Sequence, residues 1–293
     1  MKHIKPYKIF ESTSPNFPTT RDEVIEVCEK YNIKKYTIND DLSIDVDGDV
    51  DFIQKGLKYL PLKFNYVSGD FNCYSNNLVS LEGSPQTVGG DLSCSYNSLE
   101  TLKGSPQSVG GDFDCYDNKL KTLKGGPQTV DGYFYCFNNN LESLEGCPQT
   151  VGGRFNCFEN ELKTLEGSPQ TVNGDFNCFN NKLESLEGSP QTVGGHFNCS
   201  FNKLTDLEYF PEVNGSVIIY GNIVNLLVYT FVENANTFLI ENANAFLIED
   251  FVDYEIVRNG DTVMLDRLQT FIRDNNLRMP ELEPIKTHYK IIE

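Results

Sequence analysis

Cysteine recurs at Cys73, Cys94, Cys115, Cys136, Cys157, Cys178 and Cys199, always 21 residues apart. Thiols at a fixed spacing could hold a metal or act as nucleophiles. Stacked one per strand, they would stand about 4.8 Å apart. Tetrahedral zinc usually draws its ligands from close CxxC pairs, and the sequence has none. A free cysteine is also a small hydrophobe, so the series is read as core packing, with no metal and no cofactor assigned. Cys147 stands where other copies carry Ser or Gly and is expected to be a surface thiol.

Other candidate chemistry is thin. The run Asp45-Val46-Asp47-Gly48-Asp49-Val50-Asp51 hints at calcium. An EF-hand loop needs Gly at its sixth position and Glu at its twelfth. Counted from Asp45, those places hold Val50 and Gly56, so the run is read as a solvated strand face. The histidines, His3, His196 and His288, sit in unrelated contexts, and His196 is read as surface variation. HExxH, GxSxG and phosphate-loop motifs are absent. No catalytic residue is assigned, and the chain is expected not to be an enzyme.

The cysteine interval is the period of the whole central region. From Asp70 one unit reads DFNCYSNNLVSLEGSPQTVGG, and eight such units start at Asp49, followed by the worn copy SVIIYGNIVNLL. Positions 2 and 4 are apolar between polar neighbours, which predicts a half-buried strand. Positions 9, 12 and 19 (Leu78, Leu81 and Val88) complete five inward residues per turn, enough for a slim core only if successive turns stack. Position 7 is Asn76, Asn97, Asn118, Asn139, Asn160, Asn181 and Asn202. A side-chain amide there can donate to one coil's carbonyls and accept the next coil's N–H, giving a continuous ladder. Position 21 is always Gly, and position 20 is Gly, Asn, Asp or Ser. These residues tolerate positive φ and predict a tight corner before each strand. Gly83, Pro85 and their copies break any helix on the return path, which is expected to be extended or a short 3₁₀ turn.

The core LxCxxNxLxxL, carried by Phe71-Asn72-Cys73-Tyr74-Ser75-Asn76-Asn77-Leu78-Val79-Ser80-Leu81, resembles the leucine-rich-repeat family over about residues 49–227. The similarity is to its short 20–22-residue class from bacterial and viral proteins, and the SPQTVGG copies resemble bacteriophage repeat proteins. The resemblance implies a β-rich, right-handed solenoid with a parallel concave sheet, small α/β caps, and binding through exposed residues of the concave strands. In that family position 4 is a buried apolar residue. One departure stands out. Val88 lies four residues before Leu92, where the family has three, and the Gly-Gly corner is expected to absorb the extra residue as a bulge. Some bacterial members carry a cysteine-dependent ubiquitin-ligase domain after the repeats, but no cysteine follows Cys199 here.

Residues 1–48 are read as an N-terminal segment and cap. Residues 1–19 are expected to be poorly structured, with a helix over about 20–31 started by the capping box Thr20-Arg21-Asp22-Glu23. A strand or hairpin follows over 36–48. Residues 49–227 form the solenoid, and 228–293 a C-terminal α/β cap. In that cap the duplication ENANTFLI/ENANAFLI predicts helix, Asn259-Gly260 predicts a hairpin, and a short helix is expected over about 265–275.

The chain has 293 residues and a formal net charge of −18. Phosphate backbones and anionic membranes repel such a surface, so nucleic acid and membrane are excluded as partners. The N-terminal MKHIKPYKIF lacks the apolar core of a secretory signal, and no stretch reaches the ~18–20 apolar residues of a membrane span. A cytoplasmic protein is therefore expected, in the host cytoplasm if the chain is viral. Tyr74, Tyr96, Tyr116, Phe137, Phe158, Phe179 and Phe201 place one aromatic at position 5 or 6 of each cysteine-bearing unit. Beside them at position 3 run Asn72, Asp114, Tyr135, Asn156, Asn177 and Asn198. Rings with amides and carboxylates suit protein recognition, so these residues are the candidate ligand-binding face and an unknown protein the expected partner. A glycan or repetitive polymer lying along the same stripe is the alternative. A structural or ice-binding-like array is a third reading, resting on Thr87, Ser108, Thr129, Thr150, Thr171 and Thr192.

Overall fold

The computed structural model describes residues 15–205, 207–219, 221–222, 257–258, 262–274 and 290–292. The repeat region is a β-solenoid whose coils stack in parallel register, one 21-residue step at a time. Each coil contributes two short strands. Thr-Val pairs such as Thr87–Val88 build a 10-stranded sheet, and Phe-Asn pairs such as Phe71–Asn72 build a 9-stranded sheet.

This corrects the expected corner in two ways. The Gly-Gly pair joins strands of two different sheets, so the extra residue turns the chain and makes no bulge. The glycines of that corner are also absent from the positive-φ positions, which fall at position 6 (Ser75 at 56°, Asn180 at 53°) and at the position-14 glycines (Gly83 at 98°). Glycine is needed at position 21 because coils touch there. A Cβ on Gly132 would lie 2.7 Å from the carbonyl carbon of Gly111 below.

The five apolar columns expected from the period fill the interior. Phe113, Cys115, Leu120, Leu123 and Val109 are fully buried, as are their counterparts in neighbouring coils. Phe113, Phe134, Phe155, Phe176 and Phe197 run up the centre with ring centroids 5.1–5.6 Å apart. The cysteines of the series are buried and free of disulfides. Burial pushes the Cys73 thiol up to about 12 and raises the others as well. A neutral buried thiol is a poor nucleophile. A thiol reagent is thus expected to leave the seven ladder cysteines unmodified in native protein and to label them as coils open in urea. Rapid labelling without denaturant would show the interior to be wet.

The Asn column closes the coils. Asn160 Nδ2 donates to Cys136 O of the preceding coil (3.1 Å) and to Cys157 O of its own (3.0 Å). Its Oδ1 accepts Leu141 N–H, again from the preceding coil (2.9 Å). The same pattern runs from Asn76 to Asn202 and continues at Asn222. The amide thus bridges two coils as expected, but the N–H it accepts belongs to the preceding coil and not the next, and Nδ2 donates to carbonyls of both. The return path is extended, with a tight turn closed by Ser84 N–H to Leu81 O (2.9 Å). Gly83 occupies its left-handed place, as a type II turn requires. Hydroxyls at position 11 brace it, as where Ser80 Oγ accepts Glu82 N–H (3.0 Å).

At the N-terminal end, α1 (Arg21–Lys30) starts on Thr20, whose hydroxyl accepts Glu23 N–H (3.3 Å). The Glu23 carboxylate reaches back to Thr19 N–H (2.7 Å), one residue beyond the usual capping-box partner. Val24 and Cys28 are buried, and the Tyr31 ring packs edge-on against Phe52 of the first coil (5.2 Å). Tyr36–Ile38 and Ile44–Val46 pair as the expected hairpin, which continues into the Thr-Val sheet. Near the C-terminus, Val257–Arg258 and Thr262–Met264 are antiparallel, followed by α2 (Leu265–Asp274). Both match the expected hairpin and short helix. Residues 1–14 and the duplicated segment 228–250 lie outside the described residues.

Candidate functional site

The candidate face is the outer side of the Phe-Asn sheet. Position 2 points in, so position 3 must point out, and position 5 follows on the same side. Parallel register then lines like positions into columns. Tyr74 meets Tyr96 at 5.2 Å and Tyr96 meets Tyr116 at 5.6 Å, both edge-on. From there the rings stack face to face: Tyr116 on Phe137 (4.4 Å, 10°), Phe137 on Phe158 (4.4 Å, 8°) and Phe158 on Phe179 (4.9 Å, 23°). Six of the seven sequence-selected aromatics thus form one continuous rail. Phe201, 52% exposed, lies over Gly221 of the following coil. The position swap has a simple cause. Where position 5 is Ser95 or Ser200, the serine is buried and the ring moves to the left-handed position 6 at Tyr96 or Phe201.

Position 3 is more structural than its composition suggests. The Oδ1 atoms of Asn72, Asn177 and Asn198 accept the N–H two residues on, from Tyr74 (3.0 Å), Phe179 (3.3 Å) and Ser200 (3.1 Å). These amides fix the backbone that carries the rings. Asn156 keeps the column in register with Asn177. Tyr135 breaks it with a ring 6.2 Å from Phe137 and 5.7 Å from Tyr133. Asp114 is half-buried, and burial together with Asp112 and Asp91 holds its carboxyl up to about 7.

Sequence reasoning missed two features. Tyr133, with Arg154 5.9 Å over its ring, widens the aromatic surface sideways. Arg154 also pairs with Asp175 at 3.0 Å. The second feature is a carboxylate ladder at position 1. Asp49, Asp70, Asp91 and Asp112 each accept the N–H of the same position one coil on (2.7–2.9 Å). Asp175 does the same for His196, and His196 Nδ1 in turn accepts Ser216 N–H at 2.9 Å. His196, read from sequence as surface variation, is therefore a rung. The recurrence of Asp at one phase of the period is the signal in the sequence that points to it. Cys147 is corrected too. It is half-buried against the core, and burial raises its thiol.

No family model matches this chain, and no curated protein is similar to it. What the face can do rests on its own geometry. Among the described residues, no group of three or more His, Cys, Asp or Glu side chains is placed to hold a metal ion. Nor is any described helix long and apolar enough to cross a membrane. A cleft lined by Asn16, Phe17, Glu23, Val27, Tyr31 and Pro61 at the N-terminal cap shares no residue with the rail.

Proposed function

We propose that this solenoid is a non-catalytic docking module of the short leucine-rich-repeat type, acting in the cytoplasm, and that it binds another protein along the aromatic rail. The observation that carries this reading is the unbroken run of half-exposed rings from Tyr74 to Phe179. Rigid aromatics give large contact area at little entropic cost and are enriched among interface hot spots. The acidic rungs beside the rail favour a basic or polar partner and steer its approach.

The ring geometry also ranks the alternatives. A sugar stacks on the face of an aromatic ring. In the stacked stretch Tyr116–Phe179 those faces are turned to each other, leaving edges outward. Edges suit the apolar side chains of a protein better than a pyranose. For that reason a glycan stands second.

Immobilised wild type and a Phe137→Ser/Phe158→Ser variant, exposed to the same lysate and compared by quantitative mass spectrometry, test the reading. The expected result is a retained partner depleted at least about tenfold by the variant, equivalent to about 1.4 kcal/mol or more. Its association rate should also fall with added salt. Circular dichroism checks that the variant keeps its sheets. Equal retention by both proteins would rule out the rail as the docking surface.

A further inference from the structure

Beside the rail, Asp114 is the position-3 carboxylate at which the Oδ1 scheme fails. Asp51, Asn72, Asn177 and Asn198 each use Oδ1 to accept the N–H two residues on. Asp114 Oδ1 is sealed from solvent and has no hydrogen-bond partner. The residue sits in strand register between Ser93 of the coil before and Tyr135 of the coil after. The groups that act on it or feel its charge are Asp112 and Tyr116 on its own coil, Asp91 one coil earlier, Tyr135 one coil later, and the Cys94 and Cys115 thiols. All of them are neutral or acidic. Arg154, the cation that acts on Tyr135, is engaged with Asp175 at 3.0 Å.

We propose that Asp114 is a proton-operated switch in the docking face. As a neutral carboxyl it lies flush in the sheet between Ser93 and Tyr135. As a carboxylate it is repelled by Asp112 and Asp91, turns Oδ1 out to water, and shifts the rings of Tyr116 and Tyr135. The proton is exchanged with solvent, and the face alternates between a flatter, less charged form and a rougher, more acidic one. The use of this switch rests on the docking reading, since it would make affinity for a partner depend on pH.

Burial and the two neighbouring carboxylates both disfavour the charged form, and they hold the group up to about 7, within the physiological range. The sign follows from proton uptake. Folded protein keeps this proton between about pH 4 and about pH 7, where the unfolded chain has lost it. The stability it contributes is complete below about pH 4 and gone once the pH has risen past about 7.

The test is a pH titration of the full-length, ¹³C-labelled chain followed by NMR, with no partner present. The Asp114 carboxyl should titrate with a midpoint of about 7. The ring signals of Tyr116 and Tyr135 should move with the same midpoint, while those of Phe179 stay still. In Asp114→Asn both ring responses should vanish. In urea, wild type should lose stability relative to that variant as pH rises from about 5 to about 8. A midpoint below about 5, rings that do not move, or ring shifts that persist in Asp114→Asn would each overturn the switch. Because none of these readouts uses a partner, their failure leaves the docking reading intact. Failure of the Phe137/Phe158 comparison likewise leaves the titration standing.

Discussion

Asn160→Leu is expected to lower stability by about 2–4 kcal/mol and to split unfolding into two transitions. The replacement is close in size and more apolar, so burial alone would favour it slightly. Hydrogen bonding decides the other way. Asn160 donates to Cys136 O and Cys157 O and accepts Leu141 N–H, all in the interior. Leucine leaves Leu141 N–H without a partner and out of reach of water, at roughly 1–3 kcal/mol, and removes one of the two amide donors of Cys136 O and of Cys157 O, which keep Asn139 and Asn181, at roughly 0.5–1.5 kcal/mol for each bond lost. The damage falls on the contact between neighbouring coils. In a stacked array stability is close to a sum of nearest-neighbour terms, so a weakened contact lets the two halves melt separately. Urea unfolding followed by circular dichroism reads both effects. Asn140→Leu is the control. Its side chain is exposed, and its backbone N–H bonds Leu120 O whatever the side chain is. It should change stability by less than about 0.5 kcal/mol. Equal effects at the two positions would mean that the ladder carries no special energy.

A methyl group at Gly146 should be about as harmful. The residue holds φ at 99°, and a Cβ there would come within 2.4 Å of both the carbonyl carbon and the oxygen of Leu123 in the coil below. Two costs combine. The left-handed backbone is strained for any residue with a Cβ, by about 1–2 kcal/mol. The clash forces main chain against main chain, and overpacking of that kind costs about 1–3 kcal/mol. Gly146→Ala is therefore expected to lose about 2–5 kcal/mol in urea. Gly48→Ala separates the terms. Gly48 has φ of 137° but nothing within 4 Å of the added atom, so only backbone strain should register. If Gly48→Ala proves as damaging as Gly146→Ala, contact between coils is not what requires glycine in the return turn.

The sequence was explicit wherever one residue type recurred at one phase of the period. Stacking identical units forces like positions into columns, so the five buried columns, the Asn ladder and the aromatic stripe could be located before any coordinates. The N-terminal helix was legible for a local reason: Thr20 and Glu23 are placed to cap it. Tertiary structure alone decided what depends on distance between coils. A two-residue strand shows no alternation, so the Thr-Val sheet is invisible until neighbouring coils pair with it. An exposed aspartate looks like simple solvation until its oxygen is found on the next coil's N–H, as Asp91 is on Asp112 (2.7 Å). At position 21 only the approach of backbone to backbone shows that crowding, and not positive φ, excludes side chains. The state of Asp114 depends on burial in the stack, on Asp112, and on Asp91, which lies one coil away in space and 23 residues away in sequence. Periodicity specifies which side chains meet, but their hydrogen bonds, ring stacking and proton affinity are set by how closely the coils pack.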